Sequence, residues 1–558
     1  VNTPESSQKP KKIQLPLPAA PPTEAEALTG ELPVPAPPRP VRRMLISNTL
    51  IVMLATVASR FLGLFREMVV AARFGTSTEY DTYVAAFRIP DLLYLIIIGG
   101  ALGSALIPVF SRFLGQGEEQ KAWRLANAVI TTSVVVLVIV SFQTFIIAPQ
   151  LVSNLLLPVA DAQQQALAVN LTRLLLLQPL LLGLGGIAMA LLNGTQHFLW
   201  PALAPLFYNG CIILGALFLT DSLGVYGMAI GVVIGAGIYF LVQIPALLRL
   251  GLRYRPNLDF RAPGLGEVLK VLGPRLVGQA AFQFNFFIIT NLASRLTDGS
   301  ISALNYAFQL FMLPHGIFAM SVATVTFPTL ARLYGAKNMT GLKETLVGAL
   351  RQIIFFALPA SLGLALLARP VVATLFQLGR FGKTSTEMVS QTLVFFTVGL
   401  LAYGIVEIVT RAFYAVQDTR TTVIVAVLTV GINLLLSGIL GREQTLGTGG
   451  LALSLALATT FEMVALLWLL RRKLGPFTTP NAPLLLPLVK IFLAADFMAA
   501  ILWLVLQFVN SLLVDANKII LIIFTLFMIG IGAAAYGGAA YILGLEELKT
   551  ALRRFLRR

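Results

Sequence analysis

Charge is scarce in this chain: 12% of its 558 residues are Asp, Glu, Lys or Arg, against about 25% in typical soluble domains. Cysteine is rarer still. Cys211 stands alone in an apolar stretch, so no intrachain disulfide can form. His197 and His315, the two histidines, lie far apart, and no Cys/His metal cluster can be read from their spacing. Enzyme signatures are missing as well: the sequence has no Walker loop, nucleophile elbow, HExxH motif or loop carboxylates paired with a histidine. The expectation is a protein that is not an enzyme, carries no cofactor and does not hydrolyse ATP within this chain.

Apolar residues, in contrast, make up 57% of the chain, and its mean hydropathy is +0.83. A soluble chain of this length splits into several domains rather than becoming more apolar, so the composition reads as an integral membrane protein. From Met44 onward, apolar runs alternate with short loops, and a bilayer core needs about 20 helical residues to cross. The pattern predicts an all-α fold with fourteen transmembrane spans: 44–73, 82–111, 122–147, 165–193, 199–220, 224–248, 266–294, 301–331, 342–368, 386–416, 421–440, 448–470, 484–512 and 519–544. Residues 1–43 hold eleven of the thirty prolines together with Lys9, Lys11, Lys12, Arg39, Arg42 and Arg43, and read as a disordered polar tail rather than a cleaved signal peptide.

The formal net charge of +16 invites a nucleic-acid reading, but its placement argues otherwise. Loops on the side of the N-terminal tail carry the richest basic patches: Arg249/Arg253/Arg255/Arg261, Arg471-Arg472-Lys473 and Arg553/Arg554/Arg557/Arg558. By the positive-inside rule both termini are cytoplasmic, and these patches meet anionic membrane lipids rather than nucleic acid.

An internal repeat is visible. Ala86-Phe87-Arg88, followed by Pro108-Val109-Phe110-Ser111-Arg112, parallels Ala307-Phe308-Gln309, followed by Pro328-Thr329-Leu330-Ala331-Arg332. Six spans separate the copies, which implies two parallel six-helix lobes, 44–255 and 256–480, as in many transporters. Spans thirteen and fourteen (481–545) are then an appendix, and 546–558 a basic cytoplasmic tail.

Ionisable groups at bilayer depth are costly, so each is a candidate functional residue. The first span reads Ser59-Arg60-Phe61-Leu62-Gly63-Leu64-Phe65-Arg66-Glu67, with Arg73 beyond. Seven-residue spacing puts Arg60 above Glu67 on one face and Arg66 above Arg73 on another. Glu67 neutralises part of this charge, so the helix is expected to border a hydrated cavity with spare positive charge, suited to an anion. The bland alternative is an Arg60–Glu67 salt bridge with Arg66 and Arg73 reaching to the interface. In the second span Arg88 and Asp91 flank Pro90, where they either pair or line a bending cavity wall. Arg275 sits beside Gly273-Pro274 near the start of the seventh span. Glu407 and Arg411 are four apart and predicted to pair.

These strings resemble the MurJ/MviN family of lipid II flippases, within the superfamily that also holds drug exporters and polysaccharide flippases. The resemblance rests on Ser59-Arg60-Phe61-Leu62-Gly63 with Arg66-Glu67, on Tyr80-Asp81 with Ala86-Phe87-Arg88-Ile89-Pro90, on Pro314-His315-Gly316, on Leu375-Phe376-Gln377-Leu378-Gly379-Arg380-Phe381, and on Phe413-Tyr414-Ala415-Val416-Gln417-Asp418. It implies a monomeric inner-membrane protein that moves the undecaprenyl-diphosphate-linked peptidoglycan precursor to the outer leaflet by alternating access, driven by the membrane potential or a monovalent cation. It also implies a cationic cavity lined by spans 1, 2, 7 and 8 and a lipid-tail groove formed with spans 13 and 14. Ser59, Arg60, Arg66, Arg88, Gln309 and Arg275 are then the substrate-binding set, with Glu67, Asp81 and Asp91 as gating residues or charge partners. The chain departs from the family pattern at Leu95 and Gly99 in the second span and at Gln309 and Met312 in the eighth, so a second-lobe arginine is missing; Arg275 or Arg88 is expected to replace it. Two other readings remain: a related exporter of another lipid-linked oligosaccharide or of drugs, and a scaffold that recruits cell-wall synthesis proteins through the Pro-rich tail.

Overall fold

A computed structural model describes residues 39–97, 101–477, 483–509 and 517–549; side chains are described for most of these, but not for 273–282. The chain divides into two compact units, 1–50 and 51–558, and the second carries the helix bundle and every candidate site residue. Every described element is helical. In chain order the first helices are α1 (Arg39–Phe74), α2 (Thr78–Ile97), α3 (Ala101–Gly115), α4 (Glu119–Leu151), α5 (Ala162–Leu175), α6 (Leu177–Gly194) and α7 (Leu199–Leu214). They continue with α8 (Thr220–Leu223), α9 (Val225–Leu241), α10 (Ile244–Arg249), α11 (Leu265–Ala293), α12 (Ser300–Pro314), α13 (Met320–Gly335) and α14 (Met339–Leu366). The last are α15 (Ala368–Phe376), α16 (Lys383–Thr397), α17 (Leu400–Ala415), α18 (Thr419–Leu440), α19 (Gly447–Leu474), α20 (Leu485–Val509) and α21 (Lys518–Ile542).

The described parts of the predicted spans fall on these helices, and 165–193, 301–331 and 386–416 are each divided between two. The predicted tail 1–43 is shortened, because the helix begins at Arg39-Pro40, where a proline in the first turn has the φ the helix needs and loses no hydrogen bond; residues 1–38 lie outside the described residues. The second predicted span is described as α2 and α3 on either side of residues 98–100, Gly99 among them, which lie outside the described residues. By length and hydropathy, ten helical segments among the described residues are fit to cross a membrane, or eleven with the pair α16/α17, which bends by 47°. Helix α2 falls short of that criterion because it carries Glu79, Asp81, Arg88 and Asp91.

The helices pack in two groups. In the first, α5, α6 and α9 pack on one another and on α2 and α7; in the second, α16, α17 and α19 pack with α12, α13, α14 and α18. Helices α20 and α21 pair with each other and lie on α14 and α15, and α11 touches α2 and α3 of one group and α18 of the other. Turns of one kind end α3, α6, α13 and α17. Each places one residue in the left-handed region: Gly117 (φ 75°), Gln196 (63°), Lys337 (56°) and Gln417 (61°). In each, the next amide donates back five residues: Glu118 to Phe113, His197 to Leu192, Asn338 to Leu333 and Asp418 to Phe413, at 2.8–2.9 Å. This is the Schellman geometry. The same geometry ends α10 and α21, with Gly251 (φ 93°) and Gly544 (φ 67°) in the left-handed position and Leu252 and Leu545 donating back to Leu247 and Ala540.

Helix α9 carries Gly227, Gly231 and Gly235 at four-residue spacing, which lets it approach the chain of α7 to van der Waals contact. A Cβ on Gly231 would lie 2.8 Å from the Cys211 carbonyl oxygen, and one on Gly235 2.9 Å from that of Tyr208. That approach fixes where the Tyr208 side chain enters the bundle. Gly231→Val should therefore lower stability by about 1–3 kcal/mol, read as a fall in Tm of the detergent-solubilised protein. Gly237→Ala, whose Cβ meets nothing nearer than 4.0 Å, should leave it unchanged.

Candidate functional site

A polar cavity of about 500 Å³ lies inside the first helix group. Its lining follows helical periodicity. Helix α2 contributes one face at spacings of three and four, from Tyr80 through Tyr83, Val84, Phe87, Arg88 and Asp91 to Tyr94. Helix α1 adds Arg66, Glu67 and Val70; α6 adds Gln178 and Leu182; α7 adds Pro205, Tyr208 and Ile212; α9 adds Met228, Val232 and Tyr239. From the second group come Asn305 and Gln309 of α12, four apart on one face.

Arg66 is held on all three nitrogens. Its Nη1 donates to Asn209 Oδ1 at 3.0 Å, its Nε to Glu67 Oε1 at 3.1 Å, and its Nη2 to the same Glu67 oxygen. Asn209 is itself buried and anchored, its Nδ2 donating to the Pro205 carbonyl at 3.0 Å. Glu67 thus pairs with its sequence neighbour and not with Arg60, a correction to the face-by-face reading of α1. The long Arg66 side chain folds back along the helix to reach a carboxylate that is 6% exposed. Arg73 is engaged elsewhere, donating to Asp221 and to the Leu217 carbonyl, both at 2.7 Å.

Arg88 and Asp91 each take a partner on α11. Arg88 Nε donates to Thr290 Oγ1 at 3.2 Å, and its guanidinium carbon lies 5.2 Å from the Phe286 ring centroid. Asp91 accepts from Gln283 Nε2 at 3.3 Å. The described lining therefore carries two arginines and two carboxylates, so the expected spare positive charge is absent from it.

Arg60 and Ser59 do not line this cavity. Arg60 is exposed, and its Nη1 lies 3.3 Å from where a Cβ on Gly316 would stand, beside the π-helical turn His315–Ala319 between α12 and α13. The Arg275 side chain lies outside the described residues. Glu407 and Arg411 pair at 2.7 Å, as their spacing predicted.

Asp81 does something different. Buried at 5% exposure, its carboxylate accepts the Gly299 amide at 2.8 Å and the Ser302 amide at 2.6 Å, capping the start of α12 from across the bundle. Capping by a residue remote in sequence satisfies the same free amides as a local N-cap and sets a negative charge on the positive end of the helix dipole. Around it the two helix groups close tightly. Arg380 N donates to the Ala72 carbonyl at 2.8 Å, Thr76 and Ser385 hydroxyls meet at 2.8 Å, and the Tyr80 and Tyr306 rings stack at 5.2 Å. Gly299 and Gly379 are required here: both have positive φ (87° and 58°), and Cβ atoms on them would lie 2.5 and 2.3 Å from the Thr76 and Ala72 carbonyl oxygens. These contacts seal the end of the bundle that carries the loops after predicted spans 1, 7 and 9.

The sequence reading missed the contribution of spans 4, 5 and 6 to the cavity. The usable signal was a polar residue beside a proline in an otherwise apolar run: Gln178-Pro179, and Asn209 four residues after Pro205. Gln178 is 1% exposed and its Oε1 has no partner.

Removing Arg66 strands a buried carboxylate, so Arg66→Ala should cost about 3–4 kcal/mol of stability, and Arg66→Ala/Glu67→Ala markedly less than the single change. Thermal unfolding of the four proteins of that cycle measures it; additive effects would mean that the pair is not coupled.

Comparison with known proteins agrees with this architecture. The family model "Lipid II flippase MurJ" matches residues 70–524. A lipid II flippase MurJ of Burkholderia cenocepacia is 30% identical over 432 residues, covering 75% of this chain and 82% of that protein. A probable lipid II flippase MurJ of Thermotoga maritima is 28% identical over 511 residues, covering 91% and 99%. Among solved structures, a lipid II flippase MurJ in an inward closed conformation superposes with a TM-score of 0.73 at 27% identity, over 91% of this chain and all of that one. An inward-facing multidrug MATE transporter shares the fold, with a TM-score of 0.64 at 18% identity. A family model spanning most of the chain and relatives aligned over nearly their whole length place this multi-pass membrane protein in the lipid II flippase MurJ family.

Proposed function

We propose that this chain carries lipid II, the undecaprenyl-diphosphate-linked peptidoglycan precursor, from the inner to the outer leaflet of the cytoplasmic membrane by alternating access, with both termini in the cytoplasm. The observation that carries the reading is a cavity holding arginines at bilayer depth, next to an end of the bundle closed by contacts between the two helix groups, in a member of this family. Arg66 and Arg88 supply planar guanidinium forks that match diphosphate oxygens. The phenols of Tyr83, Tyr94, Tyr208 and Tyr239 offer ring faces and hydroxyls to the sugar moiety. Arg60, outside the cavity and exposed, is a first contact for an arriving headgroup. Gln309, the lining residue at the family's second cationic position, donates hydrogen bonds in place of charge.

In this scheme the end sealed around Asp81 is the external gate, and the two lobes, 44–255 and 256–480, rock about the cavity. Spans 13 and 14 (481–545) take the polyprenyl tail. With the cell interior negative, the membrane potential favours outward movement of the anion: two charges crossing 100 mV gain about 4–5 kcal/mol.

Leaflet-resolved labelling of the precursor in cells depleted of their own flippase tests the proposal. Wild type should restore outward exposure. Arg66→Lys, which keeps the charge and loses the fork, should reduce it about tenfold at equal membrane levels, a loss of about 1.4 kcal/mol of binding. A wild type that restores nothing overturns the assignment.

A further inference from the structure

The described lining of the cavity is formally neutral: Arg66 and Arg88 face Glu67 and Asp91. A diphosphate that grips the Nε/Nη2 edge of Arg66 must displace the partner already there. Glu67 already occupies the Nε and Nη2 positions of Arg66, the edge a diphosphate would grip, and Asn209 holds Nη1. The Glu67 carboxylate is 6% exposed, and its ion pair is with Arg66. If an anion takes that guanidinium, a buried carboxylate is left unpaired beside a second negative group, an arrangement that costs several kcal/mol unless the carboxylate becomes neutral.

We propose that Glu67 is a proton-binding site coupled to substrate: it acts as an internal stand-in for the diphosphate on Arg66 and takes up one proton when the diphosphate displaces it. The inference rests on the reading of the substrate as a diphosphate. The step involves no oxidant or group transfer. A proton from cavity water adds to the Glu67 carboxylate, the Arg66 N–H groups pass from that carboxylate to phosphate oxygens, and the new carboxylic O–H can donate to the bound anion. When the diphosphate leaves, Arg66 returns to Glu67 and the proton returns to water.

No neighbour of Glu67 can take the place of the Arg66 charge. From α2, Tyr80 and Tyr83 face Glu67, and from α12, Tyr306 does; Tyr208 of α7 faces Arg66. All are phenols, neutral in the working pH range, that can donate to the carboxylate but cannot replace the arginine's charge. Arg88 and Asp91 of α2 are committed to Thr290 and Gln283 of α11. Because Glu67 lines the cavity, the proton can reach it through the same space as the headgroup.

The test uses the full-length protein in nanodiscs with farnesyl diphosphate as the probe, at pH 8, where the probe is fully ionised. Calorimetric titration in two buffers of different ionisation enthalpy counts protons exchanged on binding. Wild type should take up about one proton per probe bound, and its Kd should rise by up to tenfold per pH unit. Glu67→Gln, with no charge to displace, should take up none, bind about tenfold tighter at pH 8 and lose the pH slope. Glu67→Asp should keep both the uptake and the slope, and with the wild type decides the matter if Glu67→Gln does not fold. Binding to wild type without proton uptake, or equal uptake by Glu67→Gln, overturns the proton site and leaves the diphosphate reading standing. Absence of probe binding to wild type overturns that reading and the inference with it.

Discussion

A single carboxylate holds the closed end of this molecule together. Asp81 of α2 accepts two backbone amides at the start of α12 and thereby ties the first helix group to the second. The interaction is strong because it is buried and because it answers an obligation already present: the first amides of a helix have no partner within it. Three close backbone approaches surround it, at Gly75, Gly299 and Gly379, where any Cβ would strike a carbonyl oxygen of the other group. The aromatic stack of Tyr80 on Tyr306 and a continuous buried apolar cluster, from Val70, Phe74 and Ala85 to Ala303, Phe376 and Phe381, cross the same seam.

Below that seam the cavity is balanced rather than cationic. Each arginine already has partners, Arg66 in Glu67 and Asn209, Arg88 in Thr290 and the face of Phe286. This keeps an empty site from stranding charge at bilayer depth, where an unpaired ion is costly. On the proposed reading, an anion that grips Arg66 exchanges places with Glu67, and that exchange would link a substrate to a conformational state or to a proton.

Much of this was legible in the sequence, for identifiable reasons. Hydropathy set the helices because the bilayer length scale is fixed, and ionisable residues in α1 and α2 stood out because the membrane makes them rare. What stayed hidden were contacts set by rotamers and by helix packing. Spacing along α1 pointed Glu67 at Arg60, but the Arg66 side chain is long enough to fold onto its neighbour. Nothing in the apolar run of α9 announced that Gly231 and Gly235 draw it against α7 and so place Tyr208 and Asn209 at the cavity. Asp81 read as a candidate charge partner, yet its partners are main-chain amides, which leave no mark in sequence.

The central claim is that the Asp81 cap keeps one end of the bundle shut and that releasing it lets the two helix groups part. Spin labels at the exposed positions Ser222 and Asp298, introduced as cysteines in a Cys211→Ser background, report that separation by pulsed dipolar spectroscopy in nanodiscs. With Asp81 intact the account predicts a single short-distance population, and with Asp81→Ala a second population longer by several ångströms. An unchanged distance distribution in the Asp81→Ala protein would contradict it.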